Sequence, residues 1–208
     1  MLASASPAGL LWTWWRGDPL PEIPPLAGFS VEASGDDRLL LTVAHLGQEE
    51  TLLTMEEVVR RRRSGHQAYV ARLDAAPVAY GWSATREATF GPQRTAFSVP
   101  DGNRYLWSFV TLPAWRGRGL YPRLLQAIIA NERGAADRFW ILHRWDNAAS
   151  ARGIEKAGFQ AVAQVHALPE GAFGLAPVGA TERAPAGAEL LGLPILSAKT
   201  STAATSGS

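Results

Sequence analysis

The chain has 208 residues, 47% hydrophobic and 19% charged, with a formal net charge of +1 and no cysteine. Such a length fits one domain with a sizeable core, while the missing cysteines exclude disulfides, thiolate nucleophiles and cysteine-based metal sites. The weak net field and the lack of any run near the ~20 apolar residues of a membrane helix predict a cytoplasmic protein with neither nucleic acid nor membrane as partner.

Met1–Leu11 is small and apolar but has no basic start and runs into Trp12, Trp14, Trp15 and Arg16, which argues against a signal peptide. Four prolines within Pro19–Pro25 exclude helix and central strand there. Residues 1–28 are therefore expected to be an N-terminal arm, extended from Trp12 to Pro25 and packed on the domain. Its tryptophans, with Trp107, would be arm and core packing or the wall of an acceptor pocket.

Phe29–Ala33 alternates as a short strand. Asp37–Gly65 has helical periodicity in two pieces, the second opening with a capping box in which the Thr54 hydroxyl would accept from the Glu57 N–H. Arg60–Arg63 close that helix, where cations suit the dipole and Glu56 and Glu57 lie one turn earlier, so a solvated face is expected. Gln67–Leu73 and Val78–Trp82, joined by Asp74–Pro77, read as a hairpin. Short strand signals follow at Thr95–Val99 and a rich one at Arg104–Leu112, stopped by Pro113. Leu120, Leu124, Leu125, Ile128 and Ile129 fall on one helical face, with Pro122 tolerated in the first turn. Arg138–Trp145 reads as a strand covered on both faces, Asn147–Ala157 as a helix ended by Gly158, and Phe159–Leu168 as a last strand. Residues 169–208 are expected to be a C-terminal extension, with an apolar patch at Leu190–Leu196 and disorder from Ser197. The order implies an α+β fold, or mixed α/β layers, in which helices cover a sheet.

The turn Arg116-Gly-Arg-Gly119 stands where a strand passes into a helix. Helix starts present unpaired N–H groups and a positive dipole end, so this one is a candidate anion site. No Lys-Ser/Thr follows the glycines, as a Walker loop requires, and Pro122 stands where a dinucleotide fingerprint needs its third glycine.

What the turn resembles is the acyl-CoA signature of the GNAT superfamily of N-acyltransferases, Arg/Gln-x-x-Gly-x-Gly/Ala: Arg116, Gly119 and the following Leu120 match, and Tyr121 replaces the usual small residue. An independent stretch agrees, since Asn147-Ala-Ala-Ser150 leading to Glu155-Lys-Ala-Gly-Phe159 resembles the family's Asn-x-x-Ala helix ending in Lys-x-Gly-Phe. The resemblance covers roughly residues 29–168. It implies a GNAT-like catalytic domain with a central mixed, mostly antiparallel sheet flanked by helices and splayed between its two central strands.

The same resemblance implies acetyl-CoA or another acyl-CoA as co-substrate, without metal. The amides of Arg116, Gly117, Arg118, Gly119, Leu120 and Tyr121 would cradle the pyrophosphate, the backbone of Val110, Thr111 and Leu112 would pair with pantetheine and polarise the thioester carbonyl, and Asn147 would reach the pantetheine arm. The implied reaction is transfer of an acyl group, acetyl first, to the amine of a small molecule or peptide by direct attack. A non-catalytic acyl-CoA sensor is the alternative, and a homodimer is compatible with either.

The family's acid, a tyrosine seven residues after the asparagine, is replaced by Ile154, and Arg104–Leu112 carries no carboxylate. Positioning two reactants supplies about 7–11 kcal/mol against about 3–5 kcal/mol for a general acid or base, so neither loss excludes catalysis. His143, Tyr121 and Ser150, with Asp146, are the proton-transfer candidates; core packing for His143 and Tyr121 and helix capping for Ser150 and Asp146 are the competing roles.

Overall fold

The computed structural model describes residues 7–47, 53–91, 93–179 and 182–196. Its first strand, β1 (Gly9–Trp15), enters the middle of the sheet. β2 (Phe29–Ser34) is followed by α1 (Asp37–Leu46) and α2 (Met55–Arg63), then the hairpin β3 (Gln67–Leu73) and β4 (Ala76–Ala84), the small pair β5 (Glu87–Phe90) and β6 (Thr95–Ser98), and the long β7 (Asn103–Thr111). α3 (Leu120–Glu132), β8 (Arg138–Arg144), α4 (Ala148–Lys156), β9 (Gln160–Ala167), β10 (Phe173–Pro177) and α5 (Arg183–Leu191) complete it.

The eight-stranded sheet runs β10-β9-β1-β8-β7-β4-β3-β2, antiparallel throughout except between β7 and β8. α3 joins those two parallel strands, as a parallel pair requires. Apolar residues of α3 and α4, among them Leu124, Ile128 and Ile154, pack with Phe139 and Ile141 on one sheet face. α1 and α2 cover the β3–β4–β7 part of the other face, and α5 covers the β1–β8–β9 part. The mixed, mostly antiparallel sheet expected from the sequence is what forms.

The arm expected at the N-terminus is replaced, over Gly9–Trp15, by a strand paired to both β8 and β9. Pro19–Pro25 does exclude regular structure, but the prolines begin only after the strand has ended. Trp12 and Trp14 are core residues on the α3/α4 face, and Trp15 packs edge-on against Trp140 on the other, and none of the three lines the cavity described below. Asp18 holds the following turn by a two-point ion pair with Arg183 of α5, 2.7 Å at each oxygen.

Further differences have local causes. The Thr54 cap forms, its Oγ accepting from Glu57 N at 3.2 Å, but the Glu57 carboxylate turns to Arg60 and Arg61 rather than back to the cap. Arg61 is 7% exposed, which corrects the solvated-face reading for that member of the run. In the C-terminal extension β10 adds an edge strand beside β9 and α5 docks through Leu190 and Leu191; the tail from Ser197 lies outside the described residues.

Candidate active site

β7 and β8 pair only from Asn103↔Arg138 to Leu106↔Ile141. Beyond that point β7 stays with β4 through Ala79↔Thr111 while β8 stays with β1, so the two strands part and open a gap. A bulge drives the separation. Ser108 and Phe109 together oppose Gly81, Ser108 at φ +53°, and the Phe109 ring lies where a Cβ on residue 81 would stand, 2.1 Å from it. The gap widens into a cavity of about 850 Å³ that continues to the start of α3.

At that end, Gly117 and Gly119 have φ of +76° and +68°, and Gly119 is the cap of α3. These left-handed values let the loop turn its amides outward. The N–H groups of Gly117, Arg118, Gly119, Leu120 and Tyr121 find no acceptor among the described residues, as the first turn of a helix leaves them.

The arginines divide the work. Arg116 Nε donates to Thr111 O at 3.0 Å and so ties the loop to the strand end, and Arg123 bridges Gly119 O and Pro24 O, both at 2.7 Å. Arg118 lies 4.8 Å over the Trp115 ring with no hydrogen-bond partner among the described residues. Arg152 and Lys156 on the exposed side of α4 line the same cavity.

Of the three strand residues expected to meet pantetheine, Leu112 has both backbone groups engaged: its N–H donates to Val78 O at 2.9 Å and its carbonyl accepts from Trp115 at 2.8 Å. Alternation then points the Val110 backbone to β4 as well and turns that of Thr111 and Phe109 to the gap. Asn147 caps α4 through its Oδ1, accepting from Ser150 N at 2.9 Å, and retains its amide NH₂ on the cavity side.

Tyr121 rises from the first turn of α3, its ring against Phe109 (centroids 5.2 Å apart) and its hydroxyl 3.4 Å from Ser150 Oγ. Burial pushes its pKa up, which keeps it the neutral phenol. His143, 8% exposed, faces α3 and α4 beside Trp12 and also lines the cavity. Its Nδ1 lies 2.6 Å from Arg144 O and must carry the hydrogen, which leaves Nε2 a buried lone pair without partner. Burial lowers its pKa, keeping it neutral. Asp146 instead pairs with Arg144 at 2.6 Å on the surface, away from the cleft. Ile154 is fully buried core. Trp107, named from the sequence as a candidate pocket wall, does line the cavity, whereas Ser108, Arg123 and Arg152 were not singled out, since none of them carries a motif.

The sequence pattern of the Acetyltransferase (GNAT) family matches residues 38–159. No curated protein matches the sequence. Among solved structures, a GNAT-family acetyltransferase from Colwellia psychrerythraea is 12% identical with a TM-score of 0.52, over 75% of this chain and 53% of its own. A GCN5-related N-acetyltransferase from Sphaerobacter thermophilus is 16% identical with a TM-score of 0.52, over 75% of this chain and 49% of its own. The ribosomal-protein alanine N-acetyltransferase of Escherichia coli is 17% identical with a TM-score of 0.50, over 66% and 80%. The chain thus spans about half the length of the first two, and at these identities the likeness is one of fold.

Proposed function

The chain belongs to the GNAT acetyltransferase family, and from that premise we propose that it transfers an acyl group, acetyl first, from acyl-CoA to the amine of a small molecule or peptide. The observation that carries this reading is a single cavity joining the amide-lined start of α3 to the parted strands β7 and β8. Arg118 and the amides from Gly117 to Tyr121 suit the pyrophosphate, and the N–H of Thr111, whose carbonyl is taken by Arg116, suits the pantetheine arm or the thioester carbonyl.

In the step itself the amine nitrogen attacks the thioester carbon, a C–N bond forms and the C–S bond breaks. The departing sulfur takes a proton from the Tyr121 hydroxyl, with Ser150 beside it. The surplus proton of the amine goes to Nε2 of His143, directly or through water, and as the products leave His143 releases it to solvent and the Tyr121 oxygen takes one up, which restores both groups. Tyr121 thus stands in for the acid that position 154 lacks, delivered from α3 instead of α4.

Binding without turnover is favoured by two facts: Ile154 is buried core, and β7 has no carboxylate. Titration calorimetry with acetyl-CoA and coenzyme A, followed by thiol release on adding amines, decides. Binding with amine-dependent thiol release supports the transferase, binding alone supports the sensor, and no binding removes both.

A further inference from the structure

We propose that the cleft wall on the α1/α2 face is a subsite for a carboxylate on the acceptor, contacted by the Ser108 hydroxyl with Arg61 behind it. The inference rests on the transferase reading and names its substrate class.

Arg61 belongs to the four-arginine end of α2, yet its guanidinium is buried, 4.2 Å from the Trp107 ring centroid and 5.0 Å from that of Trp82. Its Nε donates to Glu57 Oε1 at 2.9 Å and its Nη1 to Ser108 Oγ at 3.0 Å. Because the Ser108 oxygen accepts from Arg61, its own hydrogen is left to donate elsewhere, and Ser108 lines the cleft beside Trp107.

Two further observations point to an anionic guest. Glu57 pairs with three guanidiniums, those of Arg60, Arg61 and Arg94, and of these Arg61 reaches the cleft wall through Ser108. The charged residues lining the cavity are Arg116, Arg152 and Lys156, with Arg144, which is paired to Asp146, and among the described residues no carboxylate lines it. Among the described residues a plain ammonium acceptor meets no carboxylate in this cavity, whereas an amine bearing a carboxylate meets cations.

The backbone adds its own evidence. Ser108 holds φ +53°, a conformation that costs any residue with a Cβ and that glycine would adopt freely. Strain kept where glycine would relieve it, at a cavity wall, indicates that the side chain is used.

The test is acetyl-CoA-dependent thiol release with the common amino acids, their carboxamides and their decarboxylated amines. The best amino acid should exceed both its amide and its amine in kcat/KM by about 10-fold or more, the range of a hydrogen bond to a charged group. Ser108→Gly, which removes strain and keeps the fold, should bring the acid-to-amide ratio near 1 with the KM for acetyl-CoA unchanged. Arg61→Met, a positioning change, should raise the acceptor KM more than it lowers kcat. Equal rates for acid and amide, inert amino acids while acetyl-CoA still binds, or an unchanged ratio in Ser108→Gly would each overturn the subsite alone. Failure of acetyl-CoA to bind would overturn the transferase reading beneath it.

Discussion

Tyr121 lies across the backbone of Gly153: a Cβ on residue 153 would stand 2.4 Å from the Tyr121 Cδ1. α3 and α4 approach this closely only because residue 153 is glycine, and the approach sets the Tyr121 hydroxyl 3.4 Å from Ser150 Oγ. One small residue on one helix thereby fixes the place of a proton donor on the other.

If Tyr121 protonates the leaving thiolate, Tyr121→Phe should lower kcat by about 10²-fold or more while the KM for acetyl-CoA changes little. Gly153→Ala should lower kcat too although the hydroxyl is retained, because the ring must shift. Steady-state kinetics decide, and full activity in Tyr121→Phe would dismiss it as the acid.

Gly119→Trp should abolish coenzyme A binding, since a Cβ there already meets Arg123 Nη1 at 2.7 Å and a large side chain would fill the cradle. Gly117→Ala is the contrasting case. Its Cβ meets nothing within 4 Å, so only the positive φ opposes it, at about 1–2 kcal/mol of stability. Calorimetry on both variants, with far-UV circular dichroism as the fold control, separates the two effects.

His66 predicts an acid-sensitive fold. Burial is the main cause that pushes its pKa down to about 4, its Nε2 resting 2.6 Å from Glu87 O. The unfolded chain, with a histidine near 6.5, binds a proton that the folded state refuses. Stability is therefore complete above about pH 6.5 and declines as pH falls toward 4, by about 3 kcal/mol. Glu57, held at about 2 against the desolvation that would raise it by its hydrogen bonds to Arg60 and Arg61, adds its own loss only below about pH 4.5. Urea unfolding at pH 7.5 and 5 should show the decline, reduced in His66→Gln, which keeps a donor for Glu87 O; equal slopes in both proteins would refute the assignment.

Gly81→Ala should destabilise the fold by about 1–3 kcal/mol, the usual range for forcing extra atoms into packed space, because the added methyl meets the Phe109 ring. Phe109→Leu in the same chain should recover part of that loss in thermal unfolding. Acetyl-CoA affinity should fall in Gly81→Ala, since the same contact shapes the bulge that parts β7 from β8.

Local rules made much of this protein legible in its sequence. The 3.6 period of Leu120–Ile129, the Thr54 cap, the Asp74–Pro77 turn and Gly158 each depend on neighbours a few residues away, and each element forms where those neighbours place it. The glycine turn was legible for the same reason: two residues at positive φ before a helix expose amides whatever surrounds them. Tertiary structure alone decided what depends on distant partners. Trp12 and Trp14 read as an arm because nothing local shows that β8 and β9 leave room for a strand between them. Arg61 read as solvated because helix dipole and spacing are silent about two tryptophans waiting across the sheet. Ser108 carries no motif at all, and only the pairing of β7 with Gly81 bends its backbone and turns its hydroxyl to the cleft.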